Sequence, residues 1–106
     1  MHNIDLDELL KFIKLEQGRL RARYGVNDDT QKWALKQTVK LGEEFGELCD
    51  AVLSGMGSQR NSKIYKELEA ELADNLIVLL LLADSLDIDI KKALVNKIKV
   101  VNSRYH

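Results

Sequence analysis

Two groups of acidic residues have the spacing of a metal-binding site. Glu43, Glu44 and Glu47 form one group, and Glu71 and Asp74 form the other. Residues three apart on a helix lie about 60° apart on one face, so Glu44 pairs with Glu47 and Glu71 with Asp74. Two such pairs on facing helices aim four carboxylates at one point. Hard cations such as Mg²⁺ prefer oxygen ligands of this kind.

The alternative interpretation of these acids is an ordinary solvated helix face. Lys40 and Glu44 are four residues apart, a spacing that supports exposed ion pairs worth about 0.3–0.5 kcal/mol. However, Glu44 and Asp74 adjoin apolar residues, where carboxylates lose hydration and repel one another. A bound cation relieves both costs, so the two groups together favour a metal site. Gly42 and Gly46, inside the first group, permit either the close approach of a ligand or another helix, or simple helix packing.

Four helices are predicted to position these acids. Apolar residues recur with a period near 3.6 almost throughout, and no segment alternates as a strand does. Asp5 and Glu8 form a capping box for the first helix, and Ser54–Ser58 is the clearest loop. The predicted helices cover residues 6–24, 31–53 and 62–86, with the fourth running from residue 90 towards the C-terminus. Short connections between them predict an all-α, antiparallel four-helix bundle.

Composition narrows the class of protein further. The 106 residues are 45% hydrophobic and 31% charged, which fits one folded domain over residues 1–106. Sixteen basic against seventeen acidic residues give a net charge of −1, so a general nucleic-acid binder is not expected. The single cysteine, Cys49, excludes an internal disulfide and lies on the apolar arc of its helix, where we expect a core residue. No signal peptide begins the sequence, and a cytoplasmic protein is expected.

The longest apolar run, Leu76–Ala83, predicts self-association. Its eight residues are too few to cross a membrane, which takes about 20 in a helix. The run is apolar on every side of its helix, and such a helix must be covered all round. Three neighbouring helices in a chain of this size cannot cover it. We therefore expect a homo-oligomer with this helix at or near the interface.

The two acidic groups and their context resemble the MazG-like, all-α nucleoside triphosphate pyrophosphohydrolase superfamily. Its signature is Glu-Glu-x-x-Glu, a variable gap and Glu-x-x-Asp, which matches residues 43–47, 23 intervening residues and residues 71–74. The sequence of residues 40–48, which surrounds the first acidic group, is close to the sequence that is typical of the family. A late segment, from Ala93 to Arg104, is similar to its C-terminal basic stretch. The resemblance covers about residues 30–105.

The resemblance implies a fold, a reaction and a set of site residues. The fold is a four-helix unit that assembles as a homodimer or homotetramer. The reaction is Mg²⁺-dependent cleavage of a nucleoside triphosphate between its α and β phosphates, with Mn²⁺ as a possible substitute. The residues that match the family's metal ligands are Glu44, Glu47, Glu71 and Asp74. Glu43 matches the first acid of the motif, as a second-metal ligand or an orienter of water, while Lys97 and Arg104 match phosphate-binding cations.

Two further residues are candidates for substrate contact, each with a structural alternative. Trp33 offers a surface for stacking on a nucleobase, and the alternative is a core or interface residue. Asn75 follows Asp74 and offers hydrogen bonds to a sugar or base, or support for the metal site. A narrower enzyme acting on dUTP, dCTP or phosphoribosyl-ATP remains open. So does a non-catalytic helical oligomerisation or nucleotide-sensing module with a structural metal site.

Overall fold

The computed structural model describes residues 3–24, 29–55 and 62–105, the side chains of residues 62–65 excepted. Within these ranges the chain forms four helices and no strand, which confirms the all-α prediction. The helices are α1 (Leu6–Tyr24), α2 (Thr30–Gly55), α3 (Ser62–Ser85) and α4 (Ile90–Asn102). Helix α2 runs two residues past its predicted end, so Ser54 and Gly55 are helical. The rest of the predicted loop, residues 56–58, lies outside the described residues.

Aspartate side chains begin three of the helices, of which the sequence analysis named the first, at Asp5. The backbone N–H three residues further on donates to Asp5 and to Asp29 at 2.8 Å, and to Asp89 at 3.1 Å. Each bond satisfies one of the N–H groups that a helix start leaves unpaired. Between α3 and α4, Asp87 takes a φ of 55°, a left-handed conformation that aspartate tolerates better than most residues. The break predicted at residues 87–89 is therefore confirmed.

Helix α3 is the centre of the molecule because both α1 and α2 pack against it. Leu80 and Leu81 on α3 and Ile13 on α1 are buried together as the core. Six half-buried apolar residues surround them, namely Leu9, Leu10, Phe12, Leu20, Ile77 and Ile90. Burial of large side chains of this kind contributes about 1.5–3 kcal/mol each. The packing of α2 against α3 also sets the distance between the two acidic groups.

Helix α4 does not pack as the fourth member of a bundle, which corrects the predicted antiparallel four-helix bundle for a single chain. Ile90 joins the core, and the Lys91 ammonium lies 2.6 Å from an Asp7 carboxylate oxygen on α1. Apart from these contacts α4 is uncovered, since every residue from Lys91 to Val100 is exposed. The radius of gyration is 16.5 Å, whereas a compact domain of this length has about 13 Å. Helix α4 therefore projects from the three packed helices.

One apolar face of α2 and α3 is uncovered in the single chain. Phe45 is 58% exposed, Leu76 49% and Leu79 48%. These residues belong to a depression between the two helices of about 510 Å³, here called the α2/α3 groove. Its lining is Thr38, Leu41, Gly42, Phe45, Leu48, Asn75, Leu76 and Leu79. The groove leaves one side of the Leu76–Ala83 run in contact with solvent.

Two sequence interpretations on α2 change with the structure. Cys49 is exposed rather than part of the core, because no helix covers that side of α2. Gly42 and Gly46 make no close approach to a neighbour, since a Cβ atom on either would meet nothing within 4 Å. Neither glycine is therefore required by packing within this chain. No helix in the described part of the chain is long and apolar enough to cross a membrane.

Candidate metal centre and adjoining cavity

Three of the predicted acids converge where α2 crosses α3. Glu44 and Glu47 on α2 and Glu71 on α3 each offer a carboxylate oxygen, and these oxygens lie within 4.8 Å of one another. The i, i+3 spacing on α2 and the packing of α2 against α3 produce this arrangement. We call these residues the glutamate triad. Its oxygen donors are those that a hard divalent cation takes.

The electrostatics of Glu71 indicate that the triad fits a cation. Burial raises the pKa of the Glu71 carboxyl above its ordinary value of 4.5, and the charges of Glu47, Glu44 and Asp74 raise it further. One oxygen of Glu71, Oε2, is shielded from solvent and has no hydrogen-bond partner in the part of the chain that the structure describes. A buried carboxylate oxygen without a partner is costly. A bound cation would remove that cost and the repulsion together.

Asn75 fixes the two helices to each other beside the triad. Its side-chain amide donates to the main-chain carbonyl of Glu44 at 3.1 Å and to that of Glu71 at 2.8 Å. The first bond crosses from α3 to α2, and the second lies within α3. The amide nitrogen is therefore committed to the protein, which is the supporting arrangement considered for Asn75 in the sequence. Its Oδ1 atom is buried and has no hydrogen-bond partner among the described residues.

The other two acids of the motif lie outside the triad. Asp74 acts on Glu71 through its charge and lines a cavity together with Glu44, but its oxygens are not among the three that converge. Glu43 is exposed and lines a different, shallow depression with Leu35 and Val39. The structure therefore brings Asp74 to the edge of the site and turns Glu43 to another surface of α2.

A cavity of about 510 Å³ opens beside the triad and extends between α1, α2 and α3. We call it the central cavity. Glu44 and Asp74 lie at its acidic end, and Trp33 and Gln37 lie further towards the start of α2. The remaining lining residues are Glu16, Leu20, Tyr24, Lys36, Lys40, Ile77, Val78 and Leu81. A cavity with an acidic end, two lysines and an apolar wall can hold a ligand that is charged at one end and flat and apolar at the other.

Lys40 joins the cavity to the triad. Its ammonium lies 3.1 Å from Glu44 Oε1, which confirms the geometry of the ion pair considered from the sequence. The hydrogen bond to Glu44 and the charge of Glu44 raise the pKa of Lys40. Since Lys40 is largely exposed, the pair adds little stability. Its position matters more, because Lys40 offers a positive charge at the mouth of the cavity next to the acids.

The inner wall of the cavity is held by a buried hydrogen-bond network around Gln17 of α1. Gln17 Nε2 donates to the Leu81 carbonyl at 2.9 Å and lies within hydrogen-bond distance of Asp84 and Ser85. Gln17 Oε1 accepts from Trp33 Nε1 at 2.8 Å and from Gln37 Nε2 at 3.2 Å. One side chain therefore connects all three packed helices.

Trp33 is a member of this wall rather than an exposed stacking surface. It is only 5% exposed, and its indole N–H is satisfied by Gln17. The Arg21 guanidinium lies 5.4 Å from the centre of its ring, within the range of a cation–π interaction. This placement matches the core alternative considered for Trp33, although the residue still lines the central cavity.

Lys97 and Arg104 are not brought to the acids within one chain. Both lie in the projecting C-terminal part, where they are exposed. Helix α4 runs beside neither α2 nor α3 among the described residues. No described ion pair or hydrogen bond joins either cation to the triad. If these cations act on a ligand of the triad, a second copy of the chain has to supply them.

The sequence reasoning missed three residues of the site and the cavity role of a fourth. Lys36 and Lys40 line the central cavity, whereas Lys40 was considered only as an ion-pair partner of Glu44. Lys36, Lys40 and Glu44 follow one another at four-residue steps along one helix face, which was the available signal. Gln17 and Gln37 were missed as well. Gln17 interrupts an otherwise apolar stripe on α1, which is the usual sign of a buried polar group with partners.

Comparison with known proteins agrees with this geometry. A family model described as the MazG nucleotide pyrophosphohydrolase domain matches residues 34–105. That range includes the triad, Asp74, Asn75 and the whole of α3 and α4. No match was found among curated proteins or among solved structures.

Proposed function

The chain belongs to the MazG nucleotide pyrophosphohydrolase family, and from that premise we propose that it hydrolyses nucleoside triphosphates between the α and β phosphates with Mg²⁺. The products are a nucleoside monophosphate and pyrophosphate, from ribo- or deoxyribonucleotides. The observation that carries the proposal is the glutamate triad, whose three carboxylate oxygens lie within 4.8 Å of one another.

The roles of the residues follow from their positions. Glu44, Glu47 and Glu71 would hold the cation, with Asp74 at the edge of the site as a further ligand. The cation supplies positive charge against the triphosphate and activates water for attack. Lys40 and Lys36, at the cavity wall, offer positive charge to phosphate oxygens. Glu43 is exposed on α2. It would orient water or bind a second ion only if an assembled oligomer brought it to the site.

Self-association completes this proposal. The α2/α3 groove and the exposed Leu94, Val95 and Ile98 of α4 are apolar surfaces that a second copy would cover. A partner's α4 would then carry Lys97 and Arg104 to the phosphates. A homodimer or homotetramer would both cover these apolar surfaces and supply the two cations.

The direct test is to identify the products from a panel of nucleoside triphosphates with Mg²⁺. We expect equal amounts of monophosphate and pyrophosphate on anion-exchange chromatography. Release of orthophosphate and diphosphate would contradict the assigned bond, and no turnover of any nucleotide would contradict the enzyme. Mixed refolding of impaired Lys97→Ala chains and Glu71→Gln chains tests the shared site, because about half of the sites in mixed dimers would combine an intact triad with an intact Lys97. If activity does not return, α4 acts within its own chain or not at all.

A further inference from the structure

We propose that Gln37 is a specificity-determining residue whose side-chain oxygen faces the nucleobase and selects bases with an exocyclic amino group over bases with an oxo group at the same position. This inference rests on the proposed function, because it takes the central cavity as the place where the nucleotide binds. The proposed selection is for cytosine over uracil and for adenine over hypoxanthine.

The side-chain amide of Gln17 has only one orientation that satisfies its neighbours. Trp33 Nε1 is a donor and cannot accept, so the atom of Gln17 that it contacts at 2.8 Å must be the oxygen. The Leu81 carbonyl is an acceptor and cannot donate, so the atom 2.9 Å from it must be the nitrogen. The two contacts specify the same orientation from opposite sides. With the amide reversed, the indole N–H of Trp33 would face another N–H donor, and the Leu81 carbonyl would face another oxygen acceptor.

The orientation of Gln37 follows from that of Gln17. Gln17 Oε1 accepts, so the atom of Gln37 that lies 3.2 Å away must be its nitrogen. Among the described residues no hydrogen bond to Gln37 Oε1 is found, while Gln37 Nε2 is committed to Gln17. The oxygen is therefore the side-chain atom that is left for a ligand. The side chain is 6% exposed and lines the central cavity, so we place the oxygen on the wall of that cavity.

The position of Gln37 fits the base end of a bound nucleotide. Gln37 and Glu44 are seven residues apart on α2, which places them on nearly the same face and about 10 Å apart along the helix axis. With the phosphates held near Glu44 and Asp74 through a cation, the sugar and base would extend along the cavity towards Gln37. The surrounding wall is apolar, with Leu20, Ile77, Val78 and Leu81. A flat base fits between such side chains while one polar atom sets its identity.

An acceptor fixed in this position discriminates between amino and oxo groups. The 4-amino group of cytosine or the 6-amino group of adenine donates to the Gln37 oxygen. The oxo group of uracil or hypoxanthine places lone pairs against lone pairs there. Rotation of the Gln37 amide would relieve that repulsion but would set its oxygen against Gln17 Oε1, so the protein resists it. A wrong group at such a contact reduces binding about 10-fold to 100-fold.

The test compares kcat/KM for dCTP with dUTP and for dATP with dITP, in wild type and in Gln37→Met. Methionine keeps the length and volume of glutamine but removes the acceptor. We expect wild type to prefer each amino substrate about 10-fold or more in kcat/KM. In Gln37→Met both kcat/KM ratios should come within about 3-fold of one, mainly because KM rises for the amino substrates. Gln31→Met is the matched control, because Gln31 is exposed on the same helix and does not line the cavity. Its ratios should equal those of wild type.

Calorimetric binding of dCMP and dUMP separates this inference from the proposed function. Selective binding of dCMP that Gln37→Met abolishes, without hydrolysis of any triphosphate, would support the role of Gln37 and contradict the enzyme. Hydrolysis with ratios that Gln37→Met leaves unchanged would contradict the role of Gln37 and leave the enzyme intact. A wild type that prefers the oxo member of either pair overturns the inference without any variant. Absence of both binding and hydrolysis overturns both.

Discussion

The side-chain amide of Asn75 on α3 donates a hydrogen bond to the main-chain carbonyl of Glu44 on α2 across 3.1 Å. The bond joins the two halves of the acidic motif at the level of the backbone, independently of the acidic side chains. The same amide holds the carbonyl of Glu71. Asn75 therefore sets the separation of the helices that carry the triad, whether or not a cation is present.

Replacement of Asn75 with leucine should weaken both the fold and the metal site. The variant keeps the volume of the side chain but removes the hydrogen bond that crosses from α3 to the Glu44 carbonyl, at a cost of about 0.5–1.5 kcal/mol. We expect a lower free energy of unfolding in urea and weaker Mn²⁺ binding by calorimetry. Asn96→Leu, at an exposed position on α4, is the control and should change neither. Unchanged Mn²⁺ affinity in Asn75→Leu would contradict the positioning role.

The raised pKa of Glu71 predicts a pH-dependent effect of Glu71→Gln on metal-free protein. Folding raises this pKa above 4.5, so the ionised carboxylate destabilises the native state. At pH values above the folded pKa the group is ionised in both states and the full cost is present. The cost falls as pH drops through the folded pKa and vanishes below the unfolded value near 4.5. Glu71→Gln should therefore raise the melting temperature in EDTA at pH 7 and have little effect at pH 4. If Glu71→Gln changed the melting temperature equally at both pH values, the charge of Glu71 would be excluded as the cause of the change.

Divalent metal should stabilise the protein through the triad. A ligand that binds only the native state adds about 2.7 kcal/mol at 100 times its Kd, so millimolar Mg²⁺ or Mn²⁺ should raise the melting temperature. Glu47→Gln removes one converging carboxylate and should abolish most of this rise. It should also stabilise the metal-free form because it relieves repulsion. Differential scanning calorimetry with and without metal measures both effects, and an identical metal response in the variant would place the ion elsewhere.

The sequence predicted the helices well because helix formation depends on local spacing. It also named the acids among which the triad lies, although their meeting depends on the packing of α2 against α3. The start of α1 followed from Asp5, whose capping acts within one turn, and Asp29 and Asp89 cap α2 and α4 in the same way. Glu44 and Glu47 were found from an i, i+3 rule that holds on any helix. Cys49 was placed wrongly because the helical wheel shows which side is apolar but not which neighbour covers it.

The remaining features depend on contacts between distant segments. Gln17 reaches Leu81 and Ser85, more than sixty residues away, and no spacing rule predicts such partners. The orientation of α4 depends on the turn at Asp87 and on surfaces that the single chain leaves uncovered. The position of Lys97 relative to the acids could not be derived from the sequence for the same reason.

The α2/α3 groove predicts that the protein is at least a dimer in dilute solution. Leu76 and Leu79 are about half exposed, and covering such apolar surface favours association. Light scattering at micromolar concentration should give a mass of two or more chains, and Leu76→Glu should reduce it. Leu15→Glu introduces the same charge at an exposed leucine of α1 outside the groove and should leave the mass unchanged. A well-folded wild-type monomer would contradict the prediction.

The central claim is that one ion held by both halves of the motif organises catalysis, and the most direct test is the rate of pyrophosphate release at saturating Mg²⁺. Glu44→Gln and Glu71→Gln, on different helices, should each lose activity on the order of 10³-fold, with helix content preserved by circular dichroism. The double variant should lose little more than either single variant, because residues that act as a unit are not additive. Glu69→Gln, an exposed acid on α3 outside the triad, should retain wild-type turnover. Near wild-type turnover in either Glu44→Gln or Glu71→Gln would contradict the claim and leave these acids as a solvated helix face.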